Sequence, residues 1–307
     1  MHPPGDLLID RKRLKAHLSA WRLVALVAIF GSVALLSFRA HHGGGALGGD
    51  YIAQVDIDGI MGDSDDRDKL LKQVRDDGHA KALLVRMDSP GGTAVAGEVL
   101  ELQLRQVAAK KPVVIVMRTL CASACYMAAL GGDEIFARDG TLTGSIGVLL
   151  QSVEISRLAD KLGITPITIK SGKYKDVPSL TDPLTPDERA VVATVVMDAY
   201  DRFVGLIVDR RKLPEATVRR LADGRVYTGH QAVGLHLIDA IGGDDEALAW
   251  LAKNRKINAK LELKEVKPPK KKSSLLDIVG EWTGGKIFGD ATTGLDGLVS
   301  IWHPLAQ

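Results

Sequence analysis

Cysteine and aromatic residues are scarce. The chain has two cysteines, and Phe, Trp and Tyr together make up 5% of it. Two cysteines exclude a disulfide framework and a cysteine-based zinc site. Cys121 and Cys125 read as small buried apolar residues. A pair of reactive thiols, or a Cys121–Cys125 disulfide outside the cytoplasm, are the other readings. No HExxH motif occurs, and the eight histidines are scattered. That argues against metal catalysis, and neither a metal nor another cofactor is expected. Charge of one sign is not in excess: the net charge is +2, so composition offers no reason to invoke nucleic acid. No internal repeat is visible.

What is present suits an α/β protein. Apolar residues make up 46% and charged residues 25% of 307. That allows a buried core of ~150–200 residues plus appendages. Abundant Ala, Val, Leu and Gly with few aromatics favour tightly packed α/β layers over an aromatic-rich sandwich.

The longest uncharged run, LVALVAIFGSVALLSF, occupies residues 23–38. Arg11, Lys12, Arg13, Lys15 and Arg22 precede it, and after Arg39 the next lysine or arginine is Arg67. The positive-inside rule places residues 1–22 in the cytoplasm and the remainder outside. The run is short for a spanning helix, which needs ~17–25 residues, but Trp21, Arg22 and Arg39 extend it. A cleaved signal peptide is the alternative, although no convincing cleavage site follows. The expected organisation is a basic N-terminus (1–22), an anchor (23–38), a Gly-rich linker (39–50), a catalytic domain (51–255) and a C-terminal linker and tail (256–307).

Periodicity divides the central domain. YIAQVDIDG from Tyr51 alternates as a strand does, and residues 64–77 read as an amphipathic helix. ALLVRMDS (82–89) and PVVIVM (112–117) read as buried strands, with a helix at 94–110 between them. Residues 123–130 are small and helix-compatible. Further short strands are expected at 134–137, 146–150 and 166–170. Thr185-Pro186-Asp187-Glu188 supplies an N-cap, a proline at the first helical position and a glutamate at the third. The helix behind it carries Val192, Val195, Val196, Ala199, Phe203, Leu206 and Ile207 on one stripe. Strands alternating with helices predict a largely parallel sheet.

Four segments carry candidate chemistry. Asp88-Ser89-Pro90-Gly91-Gly92 ends a buried strand, where glycines let backbone N–H groups face a cleft and hold an oxyanion; a tight strand-to-helix turn is the other reading. Ser123, in Ala122-Ser123-Ala124-Cys125, follows a strand and precedes a helix. That position suits an exposed nucleophile and equally suits an N-cap. Ser171-Gly172-Lys173-Tyr174-Lys175-Asp176 offers a basic group. A lysine serves as base to a serine only when neutral, which burial in an apolar cleft favours. A neighbouring carboxylate opposes it, so Asp176 is expected to point away; a solvated basic loop is the alternative. Thr143-Gly144-Ser145-Ile146-Gly147 places a hydroxyl that either orients such a lysine or satisfies its own turn. A Ser–His–Asp triad would draw on His79, His230 or His236, none in a recognisable motif.

In order along residues 51–250, DSPGG (88–92), AS (122–123), TGSIGV (143–148), SGKYKD (171–176) and GRVYTGHQAVGLHLIDAIGG (224–243) resemble the blocks of the signal peptide peptidase A (protease IV-type) family of Ser–Lys peptidases. The last block is the most specific. By position, the resemblance implies Ser123 as nucleophile, Lys175 rather than Lys173 as general base, and Ser145 as the hydroxyl that orients the lysine. It implies an oxyanion hole from Gly91 or Gly92 with the N–H of Ala124. It further implies a Clp protease/crotonase-like fold behind a membrane anchor, and dome-shaped homo-oligomers whose neighbouring protomers share active sites. Extended apolar peptides such as signal-peptide remnants are the implied substrates, and the periplasmic face of a bacterial inner membrane the implied location. One departure is visible: where the family has two glycines after the serine, this chain has Ala124 and Cys125, whose side chains narrow the site. A catalytically impaired oligomeric scaffold and a crotonase-like acyl-CoA enzyme are the alternatives.

Overall fold

A computed structural model describes residues 21, 25–32, 49–258, 260–267 and 299–301. The chain divides into two compact units, Met1–Gly49 and Asp50–Gln307. In the first, residues 25–32 are helical; the rest of the expected anchor at 23–38 lies outside the described residues. Among the described residues no helix is long and apolar enough to cross a membrane.

The second unit is built on an eight-stranded sheet. Its strands are β1 (Tyr51–Asp58), β2 (Ala80–Ser89), β4 (Val113–Ala122), β5 (Glu134–Ala137), β6 (Leu142–Gly144), β7 (Val226–Thr228), β8 (Ala240–Ile241) and β9 (Glu262–Glu265). The main path runs β7-β6-β4-β2-β1-β9, with β5 beside β4 and β8 beside β5. Every pair is parallel except β6 with β7. A separate two-stranded ladder joins β3 (Gly91–Thr93) antiparallel to β10 (Val299–Ile301). The helices are α1 (Asp65–Asp76), α2 (Ala94–Ala108), α3 (Ala124–Ala129), α4 (Ser156–Lys161), α5 (Pro186–Arg211), α6 (Glu215–Leu221), α7 (Gly229–Gly234) and α8 (Asp244–Arg255).

Alternation along the strands builds two cores. Val55, Val85, Ile115 and Met117 face one side with Leu70, Leu100 and Tyr126. Ile52, Leu84, Val114 and Val116 face the other with Ala247 and Leu251 of α8. Both faces of β1, β2 and β4 are covered, which is why these strands read as near-continuous apolar runs.

Local sequence explains where helices begin. The Ser64 hydroxyl accepts from the Arg67 N–H at 3.3 Å, and Asp65, Asp66 and Asp68 crowd the first turn of α1, where backbone N–H groups favour negative charge. At α5 the Glu188 carboxylate accepts from the Thr185 N–H at 2.9 Å, one half of the expected box.

Two expectations fail in the same region. Residues 146–150 and 166–170 form no strand. An apolar alternation makes a strand only where a sheet edge receives it, and Ile167 and Ile169 stand 87% and 96% exposed. The α5 stripe divides likewise: Phe203 and Ile207 are buried, while Val195 is exposed.

The block at 224–243 is a buttress. β7 pairs with β6, and the Tyr126 hydroxyl of α3 donates to the Leu237 carbonyl at 2.9 Å. Burial pushes this phenol well above its ordinary range, so it stays a neutral donor. Tyr126→Phe leaves the Leu237 carbonyl without that bond and should cost about 1–3 kcal/mol. Urea unfolding would show this as a lower midpoint with an unchanged slope.

Candidate active site

The site forms where β4 ends. Ala122, the last residue of β4, pairs with Gly144 of β6. One residue on, Ser123 adopts φ 59° and ψ −119°, a sparsely populated conformation for an L-residue that costs on the order of 1–3 kcal/mol. Its N–H donates to the Gly144 carbonyl at 2.8 Å, and its carbonyl accepts from the Met127 N–H at 2.9 Å. Ser123 is therefore the pivot between strand and helix. Its hydroxyl makes no capping bond to α3, so the N-cap use does not account for the residue.

The partner turn is bent in the same sense. Gly144 has φ 80° and Ser145 φ 49°, and the Ser145 N–H donates to the Arg225 carbonyl at 2.8 Å. Thr143 Oγ1 donates to the Cys121 carbonyl at 2.7 Å. The structure thus brings the Ser123 and Ser145 segments side by side through β4 and β6.

The glycine pair lies in β3, which packs against α3. Gly91 has φ 110°, in the region open to glycine. Its N–H donates to Ser89 Oγ at 3.1 Å, and its carbonyl accepts from the Met61 N–H at 2.8 Å. Gly92 is crowded rather than twisted: a Cβ there would lie 1.8 Å from the Met61 carbonyl oxygen. The Met61 carbonyl takes the Thr93 N–H at 3.0 Å, so the N–H and C=O of Gly92 face the opposite side. That side is where β10 runs antiparallel, with Ser300 opposite Gly92. β10 also packs against α3. An extended segment of the chain thus lies along the glycine edge, beside the helix that Ser123 starts.

The lysine segment lies apart from the core. Residues 171–176 form turns, and Lys175 is exposed, its N–H donating to the Gly172 carbonyl at 3.2 Å. Lys173 pairs with Asp187, and that hydrogen bond holds its amine above the ordinary range, the wrong direction for a base. Asp176 faces Lys170 at 3.5 Å. The histidines offer little: His79 with Asp50 and His230 with Asp139 form exposed pairs.

Two features differ from the expectations or add to them. Cys121 and Cys125 are joined in a disulfide, the less favoured of the readings their spacing allowed, rather than standing as separate apolar residues. Their four-residue spacing across a strand-to-helix turn was the available signal. The second is the accommodation of Ala124. A Cβ on Gly97 of α2 would lie 3.1 Å from the Ala124 Cβ and 2.9 Å from its carbonyl oxygen. The glycine absent after the serine is present across the helix interface.

Residues 105–258 match the pattern of peptidase family S49. A candidate protease of Synechocystis sp. is 36% identical over 237 residues, covering 76% of this chain and 83% of that protein. The chain belongs to peptidase family S49. A candidate signal peptide peptidase SppA of Enterococcus faecium is 35% identical over 242 residues, 76% of this chain and 68% of the other. The S49 assignment makes the protein a serine peptidase. Its matched span includes Ser123, Ser145 and Lys175 and begins after Gly91 and Gly92. Among solved structures, a ClpP1 mutant of Listeria monocytogenes gives a TM-score of 0.43 at 15% identity, over 63% of this chain and 92% of that one.

The contact between Gly97 and Ala124 is testable. Gly97→Ala should destabilise by about 1–3 kcal/mol through overpacking. Ala124→Gly in the same chain should return part of that loss, read as a recovered thermal midpoint.

Proposed function

We propose that this S49 peptidase hydrolyses extended apolar peptides through Ser123 as nucleophile and Lys175 as general base, from a domain held at the outer face of a bacterial inner membrane. The observation that carries the reading is the juxtaposition of the Ser123 pivot with a glycine edge that accepts an extended backbone.

The chemistry follows from the parts. Neutral Lys175 removes the Ser123 proton, and Oγ attacks the peptide carbonyl. Of the two glycines, Gly92 is the better oxyanion donor: its N–H is released when a substrate displaces β10, whereas the Gly91 N–H is committed to Ser89 within the turn itself. The N–H of Ala124, beside the attacked carbon, is the second donor. Protonated Lys175 then delivers its proton to the leaving amine. Water, deprotonated by the same lysine, releases the acyl group. Ser145 orients the amine. The substrate backbone takes the antiparallel register that Val299–Ile301 takes along Gly91–Thr93, a strand addition. A cleft of about 660 Å³ lined by Val148, Leu149, Leu184, Val192 and Val196 begins three residues after Ser145, which supports apolar side chains in the substrate.

Exposure of Lys175 supports the sharing of sites between protomers. In one chain the lysine is exposed, and the segments around it in sequence carry exposed Leu149, Ile167, Ile169, Leu180 and Val195. A second copy covering this surface would bury the apolar residues and give the lysine the dry surroundings that favour its neutral form. The disulfide supports an oxidising compartment, in keeping with residues 23–38 as an anchor. The Clp protease/crotonase-like layering of the sheet belongs to the same reading.

A fluorophosphonate probe should label the wild type and not Ser123→Ala; equal labelling would remove Ser123 from the mechanism. Lys175→Ala should abolish peptide turnover while leaving the assembly intact by light scattering, and full activity would dismiss this base. Ser300→Pro, which deprives the β10 backbone of a donor, should lower KM for an apolar peptide and leave kcat unchanged. A raised KM would mean that β10 supports the edge rather than competing for it.

A further inference from the structure

We propose that the Cys121–Cys125 disulfide is a positioning element for the nucleophile: a covalent strap that fixes the angle at which Ser123 leaves β4 and enters α3. The proposal rests on the reading of Ser123 as nucleophile.

The bond joins residues four apart and encloses Ala122, Ser123 and Ala124. Cys121 is the penultimate residue of β4, and Cys125 the second of α3. The strap therefore connects a sheet strand to a helix's first turn, with the serine between its ends. All five residues are buried. Cys121 is held to the sheet by Thr143 and lies against Met87. The Cys125 side chain is committed to the Cys121 sulfur.

The need for a strap follows from the backbone. Ser123 holds φ at 59°, and a residue in that region persists only where its surroundings over-determine it. Two hydrogen bonds do part of this work, one to the sheet through Gly144 and one to the helix through Met127. Each resists a local displacement, but neither ties the sheet to the helix directly. The disulfide does. It also accounts for the place where this chain departs from the Gly-Gly of its family: Ala124 sits over Gly97, and Cys125 is one anchor of the strap.

The disulfide bonds neither Gly92 nor β10, and the sheet pairing of Cys121 with Ser89, whose hydroxyl holds the Gly91 N–H, does not depend on it. Loss of the strap should therefore loosen the nucleophile without moving the strand on which a peptide lies. The expected signature is a fall in kcat with KM preserved.

The test uses the full chain as wild type, as Cys121→Ala/Cys125→Ala, and as wild type treated with a water-soluble phosphine. The phosphine passes two electrons to the disulfide and becomes its oxide. Water supplies the oxide's oxygen and the protons of the two thiols. Alkylation of denatured, unreduced wild type should find no free thiol by mass spectrometry. Kinetics on an apolar peptide, with fluorophosphonate labelling of Ser123, should show kcat and labelling rate lowered on the order of tenfold or more in both strapless forms, with KM changed less than about twofold. Reoxidation should restore the reduced wild type. Two free thiols in the active enzyme would overturn the proposal. So would an unchanged kcat without the disulfide, a loss carried by KM, or a loss matching the folded fraction lost by circular dichroism. Ser123→Ala is the control that separates the two claims. If it still labels, the nucleophile reading fails and the positioning role with it. If it does not label while the strapless forms react at wild-type rate, only the strap is dismissed.

Discussion

The hydrogen bond from the Ser123 N–H to the Gly144 carbonyl, 2.8 Å long, is the constraint on which the rest of the site depends. It continues the β4–β6 ladder one residue beyond the strand, into a backbone that no longer has strand geometry. Because Ser123 must reach Gly144 and also start α3, it is forced into the left half of conformational space. Because Gly144 must receive it, that glycine and Ser145 turn left as well. β7 packs on β6 from outside, and the Tyr126–Leu237 bond holds the helix down. The strain of one serine is thus supported by segments far apart in the chain.

Legibility in the sequence followed how local each determinant was. Val113–Met117 read as a strand because burial on both faces leaves an unbroken apolar run. The start of α5 read correctly because Thr185, Pro186 and Glu188 define a helix terminus without outside help. The strands at 142–144, 226–228 and 240–241 were not legible. They are two or three residues long, and they exist because other strands present edges to them. Conversely, Ile167 and Ile169 carry the alternation of a strand and lack an edge to join. Local residues left Ser123 poised between cap and nucleophile, and no spacing rule decides φ for a serine. What the structure added was its backbone, together with the finding that the neighbouring cysteines bond to each other.

The two halves of the proposed dyad sit in unlike environments. Ser123 is buried in a dense junction, whereas Lys175 lies on an exposed turn within a stretch, roughly 149–187, that buries little of itself. A segment so rich in exposed aliphatic side chains gains little from the chain it belongs to. In the proposed assembly a neighbouring protomer would supply the burial it lacks. Rigid support for the nucleophile and late delivery of the base are compatible tasks when the base reaches its working surroundings only on assembly.

The placement of β9 bears on the order in which the domain is made. β1 is the first strand of the unit, yet its outer neighbour, Glu262–Glu265, comes after α8. While the chain emerges from the ribosome or crosses a membrane, β1 can pair with β2 early, but its far edge stays open until nearly the whole domain has appeared. Open edges are templates for other chains. The strand that finally closes this one, Glu-Leu-Lys-Glu, is charged at three of its four positions. This edge of the sheet is therefore sealed only after α8 has been made, and a chain interrupted before Glu262 would leave the outer edge of β1 bare.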